Sequence, residues 1–454
     1  MALGRRDGSQ QGELWVATGE LPRAPRHVFY EKLNGVLKTA GFDTFVEDLC
    51  EEYYATNGRP SIPPGVFFRM VLIGYFEDIS SQRGIAWRCE DSRSLQEFLG
   101  FALNEETPDH SSLSRIRARL PLEVFQQVFS WVLALVREHK LLGGKVVGVD
   151  STTLEADAAM KSIVRKDTGE DWEEYLRRLA KADGVEIKTK ADLIRYDQQR
   201  NKKGEKKTSN DDWESPSDPD ARIAKMKDGT THLAYKAEHV IDLDTEVIIA
   251  AEIYHANEGD ASTIVRSVEA AQQNLVDVDV VQDIEKVVAD KGYHKALNLV
   301  EIEGLSPFGI KTYIPEPQSK HERVWTDKPS SYRRAVYNNR DRCSRDHGKA
   351  LQRRRSEVVE RSFAHLCETG GSRRSWLTGI DNVRKRYSLA ATAHNLGLIL
   401  RQLIGSSKPR GFAALGWLLC AAQMATRAIL NLWSPLIRSS SPHLENPIPQ
   451  FALR

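Results

Sequence analysis

Cysteine is scarce in this chain, and what there is does not pair. Cys50, Cys89, Cys343, Cys367 and Cys420 are the only five in 454 residues, and no two form a C-x-x-C. That excludes a zinc ribbon or finger and a disulfide framework, and it suits a reducing compartment. A phosphate-cradling G-x-x-x-x-G-K-[ST] is also missing, so nothing implies ATP. No apolar h-region follows Met1; the expectation is a chain without a signal peptide, cytoplasmic and associated with the nucleoid. The apolar stretch 412–433 carries Gln423, Arg427 and Asn431 at i, i+4 and i+8. Such a stripe predicts an amphipathic helix packed on protein and no membrane partner. Net charge is only +1, yet residues 321–410 hold 20 Lys/Arg against 8 Asp/Glu, while 1–150 hold 17 against 20. A basic block of that size suits a polyanion or a solvated face.

What is present is globular, with 41% hydrophobic and 28% charged residues. The length exceeds one ordinary core and predicts two or three units. Residues 1–26 are polar and predict a flexible arm. Apolar positions recur at helical spacing through 27–142, as in Val28, Phe29, Leu33, Val36 and Leu37, or Val66, Phe67, Met70, Val71 and Tyr75. That predicts an all-helical N-terminal domain. Residues 143–405 mix strand and helix patterns and predict an α/β domain with a mixed sheet, interrupted by a polar insertion at about 155–230. Residues 406–454 predict the amphipathic helix and a tail. Residues 318–350 read as loop with a short helix.

Within the helical domain, Thr107-Pro-Asp-His-Ser-Ser-Leu-Ser-Arg-Ile-Arg-Ala-Arg119 starts with capping residues and places Arg115 and Arg119 one turn apart. It reads equally as a recognition helix presenting Ser112, Ser114 and Arg115 to DNA, or as a capped surface helix. Arg373, Arg374, Arg384, Lys385 and Arg386 cluster near the other end of the chain and are the candidates for phosphate contact.

Three acids carry the chemistry. Val146-Val147-Gly148-Val149 runs into Asp150, and Val287-Val288-Ala289 runs into Asp290. Both read as buried strands, whose terminal acids are costly without a partner. Glu360 lies in Val358-Val359-Glu360-Arg361-Ser362-Phe363, inside a helical pattern ended by Gly370-Gly371. Carboxylates on strand ends and a facing helix suit Mg²⁺ or Mn²⁺, two of which can activate an oxygen nucleophile and stabilise a leaving oxygen in phosphodiester chemistry. Because the acids repel one another without metal, replacing one by Ala is expected to leave folding intact or improve it slightly. Asp260 reads as an N-cap of the helix starting near Ala261. His365 and Tyr293 read as packing residues or as neighbours of the site, and Cys367 as a buried apolar residue.

Gly148-Val-Asp150-Ser-Thr, Ala289-Asp290-Lys-Gly-Tyr293 and Val359-Glu360-Arg-Ser-Phe363 resemble the acidic motifs of bacterial DDE-type insertion-sequence transposases, in the group with a Tyr-Arg-Glu-Lys signature. Arg59-Pro-Ser-Ile-Pro-Pro64 and Thr107–Arg119 are similar to the helical domain of the insertion-sequence 1182 group. The resemblance implies an RNase H-like core with Asp150, Asp290 and Glu360 as catalytic metal ligands. It also implies two Mg²⁺ or Mn²⁺ ions, terminal inverted repeats and target DNA as partners, and a homodimer or higher assembly on DNA. The signature's Arg and Lys positions hold Ser356 and Cys367 here. A metal-dependent nuclease on the same core, and a DNA-binding protein that has lost catalysis, are the competing readings.

Overall fold

The computed structural model describes residues 27–410, apart from 56, 59–60, 103, 203–208, 227–228, 281–282 and 319–322. The expected arm and the expected tail helix lie outside the described residues. Seven α-helices come first: α1 (Val28–Thr39), α2 (Phe42–Cys50), α3 (Pro64–Phe76), α4 (Gln82–Asp91), α5 (Arg93–Leu99), α6 (His110–Arg119) and α7 (Leu122–Glu138). Pro64 occupies the first turn of α3, where its missing N–H costs nothing. Phe67, Phe68, Met70, Leu72, Ile73 and Phe76 make α3 buried nearly all round. Its one charge, Arg69, is 3% exposed and is tied to Asp43 at 3.0 and 2.8 Å, to Asn34 and to the Phe98 carbonyl. One guanidinium thus pins α1, α2 and α5 to α3, because a buried charge is tolerated only with its hydrogen bonds filled.

The α/β part follows with β1 (Val146–Glu155), β2 (Val164–Arg165), α8 (Trp172–Ala182), α9 (Lys190–Lys202), β3 (Trp213–Glu214), β4 (Arg222–Lys225), β5 (Thr231–Asp242) and β6 (Ile248–His255). After these come α10 (Asp260–Asp277), β7 (Lys286–Val288), α11 (Ala296–Gly304), β8 (Lys311–Tyr313), α12 (Ser330–Ser344), α13 (Asp346–Phe363) and α14 (Ile380–Ile404). The sheet is mixed, as its patterns predict. β5 pairs antiparallel with β1 along one edge and with β4 and β6 along the other; β7 and then β8 extend the sheet parallel to β1. α14 packs between α7 and β6, so the helical set and the sheet share one compact unit that reaches Ser407.

Three expectations change. The sequence predicts one helix in the polar insertion, Trp172–Ala182, and α8 forms there with an Asp171–Glu174 capping box; beyond it the insertion carries more structure than its composition suggests, since α9 follows and β2 pairs with β3. Residues 318–350 hold the 15-residue α12, of which only Ala335, Val336 and Asn339 are buried. Asn339 bonds both backbone groups of Ile314, an anchor that hydrophobic periodicity does not register. Asp260 is not the N-cap of α10. Gly259 holds that position, and the Asp260 carboxylate turns instead to Ser151 and Lys236 on the neighbouring strands.

Candidate active site

Two aspartates meet because β1 and β7 run parallel in a fixed register. β1 and β7 pair as Val146 with Lys286, Val147 with Val287 and Gly148 with Val288. Asp150 and Asp290 therefore both stand two residues past the last matched pair: Asp290 lies just beyond the end of β7, whereas Asp150, expected at a strand end, lies midway along β1, which runs on to Glu155. Burial pushes the Asp150 carboxyl above the ordinary aspartate range, and Asp290 pushes it the same way. Arg355 and the Ser151 N–H pull it back. Asp290 accepts the Gly292 N–H at 2.8 Å, which fixes the turn below it.

α13 lies against this end of β1, and Gly148 is what admits it. A Cβ at Gly148 would stand 2.6 Å from Leu243 Cδ2, 3.0 Å from Arg355 Cγ and 3.1 Å from Val359 Cγ2. At that approach Arg355 donates to Asp150 Oδ2 at 2.6 Å, while Gln352 donates to the carbonyls of Ala289 and Tyr313. Glu360 follows Val359 on the same helix but is exposed, and its carboxylate accepts from Ser356 Oγ at 3.3 Å. Among the described residues no three His, Cys, Asp or Glu side chains gather closely enough to hold a metal ion. The paired aspartates are a hard-oxygen donor set that fits Mg²⁺ or Mn²⁺. Glu360 is not gathered with them, and Arg355 holds Asp150 instead.

Residues directly opposite in an antiparallel pair share a face, so Asp150 and its partner His239 both look toward α13. His239 is fully buried between Ser362 Oγ (2.9 Å) and Tyr387 Oη (2.7 Å) and stacks on Phe363. Thr152 shares this face and accepts from Arg373 at 3.1 Å. The opposite face carries a second polar cluster. Lys236 Nζ lies 2.8 Å from Asp260 and 3.2 Å from Glu238; Glu238 is fully buried and accepts from Thr263, Ser267 and Tyr293. Ser151 Oγ links this cluster to the strand of Asp150 by donating to Asp260 at 2.9 Å. Tyr293 is a core residue here, with its hydroxyl spent on Glu238. His365 stands beside the His394 ring.

The basic candidates divide. Arg115 is exposed and bonds Ser111 within its own helix; Arg119 is exposed with its guanidinium over Tyr54; Ser112 donates its backbone N–H to the N-cap Asp109. Arg374 lies over Trp376 and near Glu155 and Asp157. Arg384 bonds the Ile253 carbonyl, Lys385 is 8% exposed and bonds the Arg117 carbonyl, and Arg386 bonds the carbonyls of Arg374 and Gly371. These last three tie α14 to its surroundings, so their charge is not displayed as the sequence cluster suggests.

Arg355, Lys236 and Glu238 were not legible as site residues. A signal for the last two exists: charges at period two inside an otherwise apolar strand mark one polar face. Arg355 sits in a run of three arginines, and only the approach of α13 to Gly148 singles it out.

Against known families, the sequence model described as Transposase DDE domain matches residues 149–396, and the one described as Transposase domain (DUF772) matches residues 21–119. No curated protein and no solved structure matches the chain.

Proposed function

Because the chain belongs to the Transposase DDE domain family, we propose that it cuts and joins DNA at the ends of an insertion sequence of the 1182 type. The observation that carries this reading is the register of adjacent parallel strands, which sets Asp150 within β1 level with Asp290 just past β7. The order of the mixed sheet, with four antiparallel strands extended by two parallel ones, supports an RNase H-like core. Asp150 and Asp290 would hold divalent metal, with Glu360 as the third carboxylate; bound there, Mg²⁺ would activate the attacking oxygen and offset charge on the leaving oxygen. Burial raises the Asp150 carboxyl, and Arg355 beside it offsets part of that rise. Arg373, on the Thr152 hydroxyl and paired with Glu368, would reach a DNA phosphate beside the same strand by exchanging that carboxylate for it. No side chain is needed as nucleophile: burial pushes the Cys367 thiol up to about 11, and Ser151 is engaged with Asp260. The partners are the element's terminal repeats and target DNA, engaged by a homodimer or larger assembly.

The test is nicking and joining of a labelled end duplex with Mg²⁺, Mn²⁺ or EDTA. Parent protein should nick and join with metal, whereas Asp290→Ala should lose both by orders of magnitude and still shift the duplex on a gel. Metal-dependent nicking by Asp290→Ala at the parent rate would remove that residue from the chemistry. Nicking without joining would leave a nuclease, and binding without nicking a DNA-binding protein.

A further inference from the structure

A cavity of about 290 Å³ lies where α3, α4, α6 and α14 meet the segment after α13. Its walls are largely apolar and aromatic, among them Phe67, Tyr75, Ile85, Phe125, Trp376 and Leu389. Its polar lining is of one sign. Arg83, Arg117, Arg386 and His110 face it, and no Asp or Glu does among the described residues. Arg117 Nε is buried without a hydrogen-bond partner. Arg386 spends two N–H groups on the carbonyls of Arg374 and Gly371, but no carboxylate among the described residues answers its charge. Burial, with the positive charge of Arg117 acting the same way, pushes Arg386 down to about 10.

Two guanidinium groups that repel one another in a largely apolar cavity are unfavourable unless an anion joins them. α4 starts at the cavity, with Ser81 as N-cap and Gln82 and Arg83 in its first turn, and its N-terminus adds partial positive charge. Apolar walls with an exposed Trp at 51% exposure favour a flat ring over inorganic anions. The volume is at the lower edge of small-molecule sites, about 300 Å³, and suits a ligand no larger than a pyrimidine nucleoside monophosphate.

We propose that this cavity binds one nucleotide, its base against the aromatic walls and its phosphate on Arg117. The choice of nucleotide over another aromatic phosphate rests on the DNA-acting reading above. The nucleotide is free in solution or is the terminal unit of a DNA strand, and the same contacts serve both.

The full chain would be titrated calorimetrically, without metal, with thymidine 5′-monophosphate, thymidine and inorganic phosphate. The monophosphate should bind at least about tenfold more tightly than either half. Arg117→Met should weaken it by about tenfold or more while the melting temperature stays level or rises, since a buried repulsion has been removed. Asp150→Ala should bind it as the parent does, which separates failure here from failure of the catalytic reading. Displacement by a short 5′-phosphorylated single strand would assign the site to DNA, and persistence of binding without displacement to a free nucleotide. Monophosphate binding no tighter than thymidine or phosphate would overturn the proposal. So would unchanged binding by Arg117→Met, or a fall in its melting temperature that marks the charge as structural.

Discussion

Arg355 alters what the removal of a carboxylate does to the fold. Three acids repelling one another would make any Ala replacement neutral or stabilising, and that is the expectation from sequence. Asp150, however, is the partner of an arginine 9% exposed whose Nε already lacks a hydrogen bond. Asp150→Ala leaves that guanidinium unanswered and should cost about 1–3 kcal/mol. Glu360→Ala removes an exposed side chain with one weak partner and should stay within about 0.5 kcal/mol. Urea unfolding without metal compares the two, and an Asp150→Ala variant as stable as the parent would deny the pair any role in stability. Histidine burial gives a second test at this scale. Burial holds His239 far below its ordinary value and His394 at about 3, so both stay neutral in the folded chain. The unfolded chain protonates them near 6.5. Their contribution is therefore complete above about pH 7 and is lost as pH falls below 6.5, by up to about 1.4 kcal/mol per pH unit for each histidine. Stability measured from pH 7.5 to 5.5 should fall accordingly, and His394→Asn should remove roughly half of the histidine part of the slope; an unchanged slope would place the effect elsewhere.

At the scale of the element, α13 is the piece that has to be aimed. Its start is set by a close passage over the end of α12: a Cβ on Gly348 would stand 2.2 Å from the Arg342 carbonyl oxygen, a backbone atom that cannot swing aside. Gly348→Ala must part the two helices, at about 1–3 kcal/mol in the manner of an overpacked core. It should also lower nicking more than DNA binding, because Arg355 and Glu360 ride on the displaced helix. Equal stability and nicking in this variant would show that the junction yields without moving α13. The same element shows why some of the fold was legible and some was not. β1 and β7 announce themselves as valine runs leading into an acid, since buried strands need β-branched residues, although β1 continues past its acid to Glu155. α8 was legible to the residue. α2, α4, α9 and α11 were not read as helices, and α12 only as a short one, because few of their residues are apolar or the element is short. The Asp150–Asp290 pairing follows from strand register, which no single stretch of sequence carries. Arg355 on Asp150 depends on Gly148, two residues upstream on another element.

For the molecule as a whole, a near-neutral chain must still meet a polyanion, and placement of charge matters more than its total. The excess of basic over acidic residues in 321–410 is real, yet Arg384, Lys385 and Arg386 bond carbonyls of β6, α6 and the 371–374 segment. They act as internal ties that hold α14 between the helical set and the sheet. Exposed Arg115 on α6 is a different case: among the described residues its guanidinium bonds Ser111 of its own helix alone, so a DNA base edge could take it at little cost. Lys385→Ala should then lower the melting temperature and leave the slope of log K against log salt unchanged. A lost phosphate contact would reduce that slope by about 0.9 instead. Arg115→Ala should keep the slope within that margin and relax the preference for the element's end over a scrambled duplex by about 1–3 kcal/mol at one base pair. Binding of both duplexes would be titrated at several salt concentrations for parent and variants. If Arg115→Ala keeps the parent's preference, α6 is a capped surface helix and reads nothing. If it loses slope and no preference, Arg115 touches phosphate, and the reading of the end must come from another face of the helical domain.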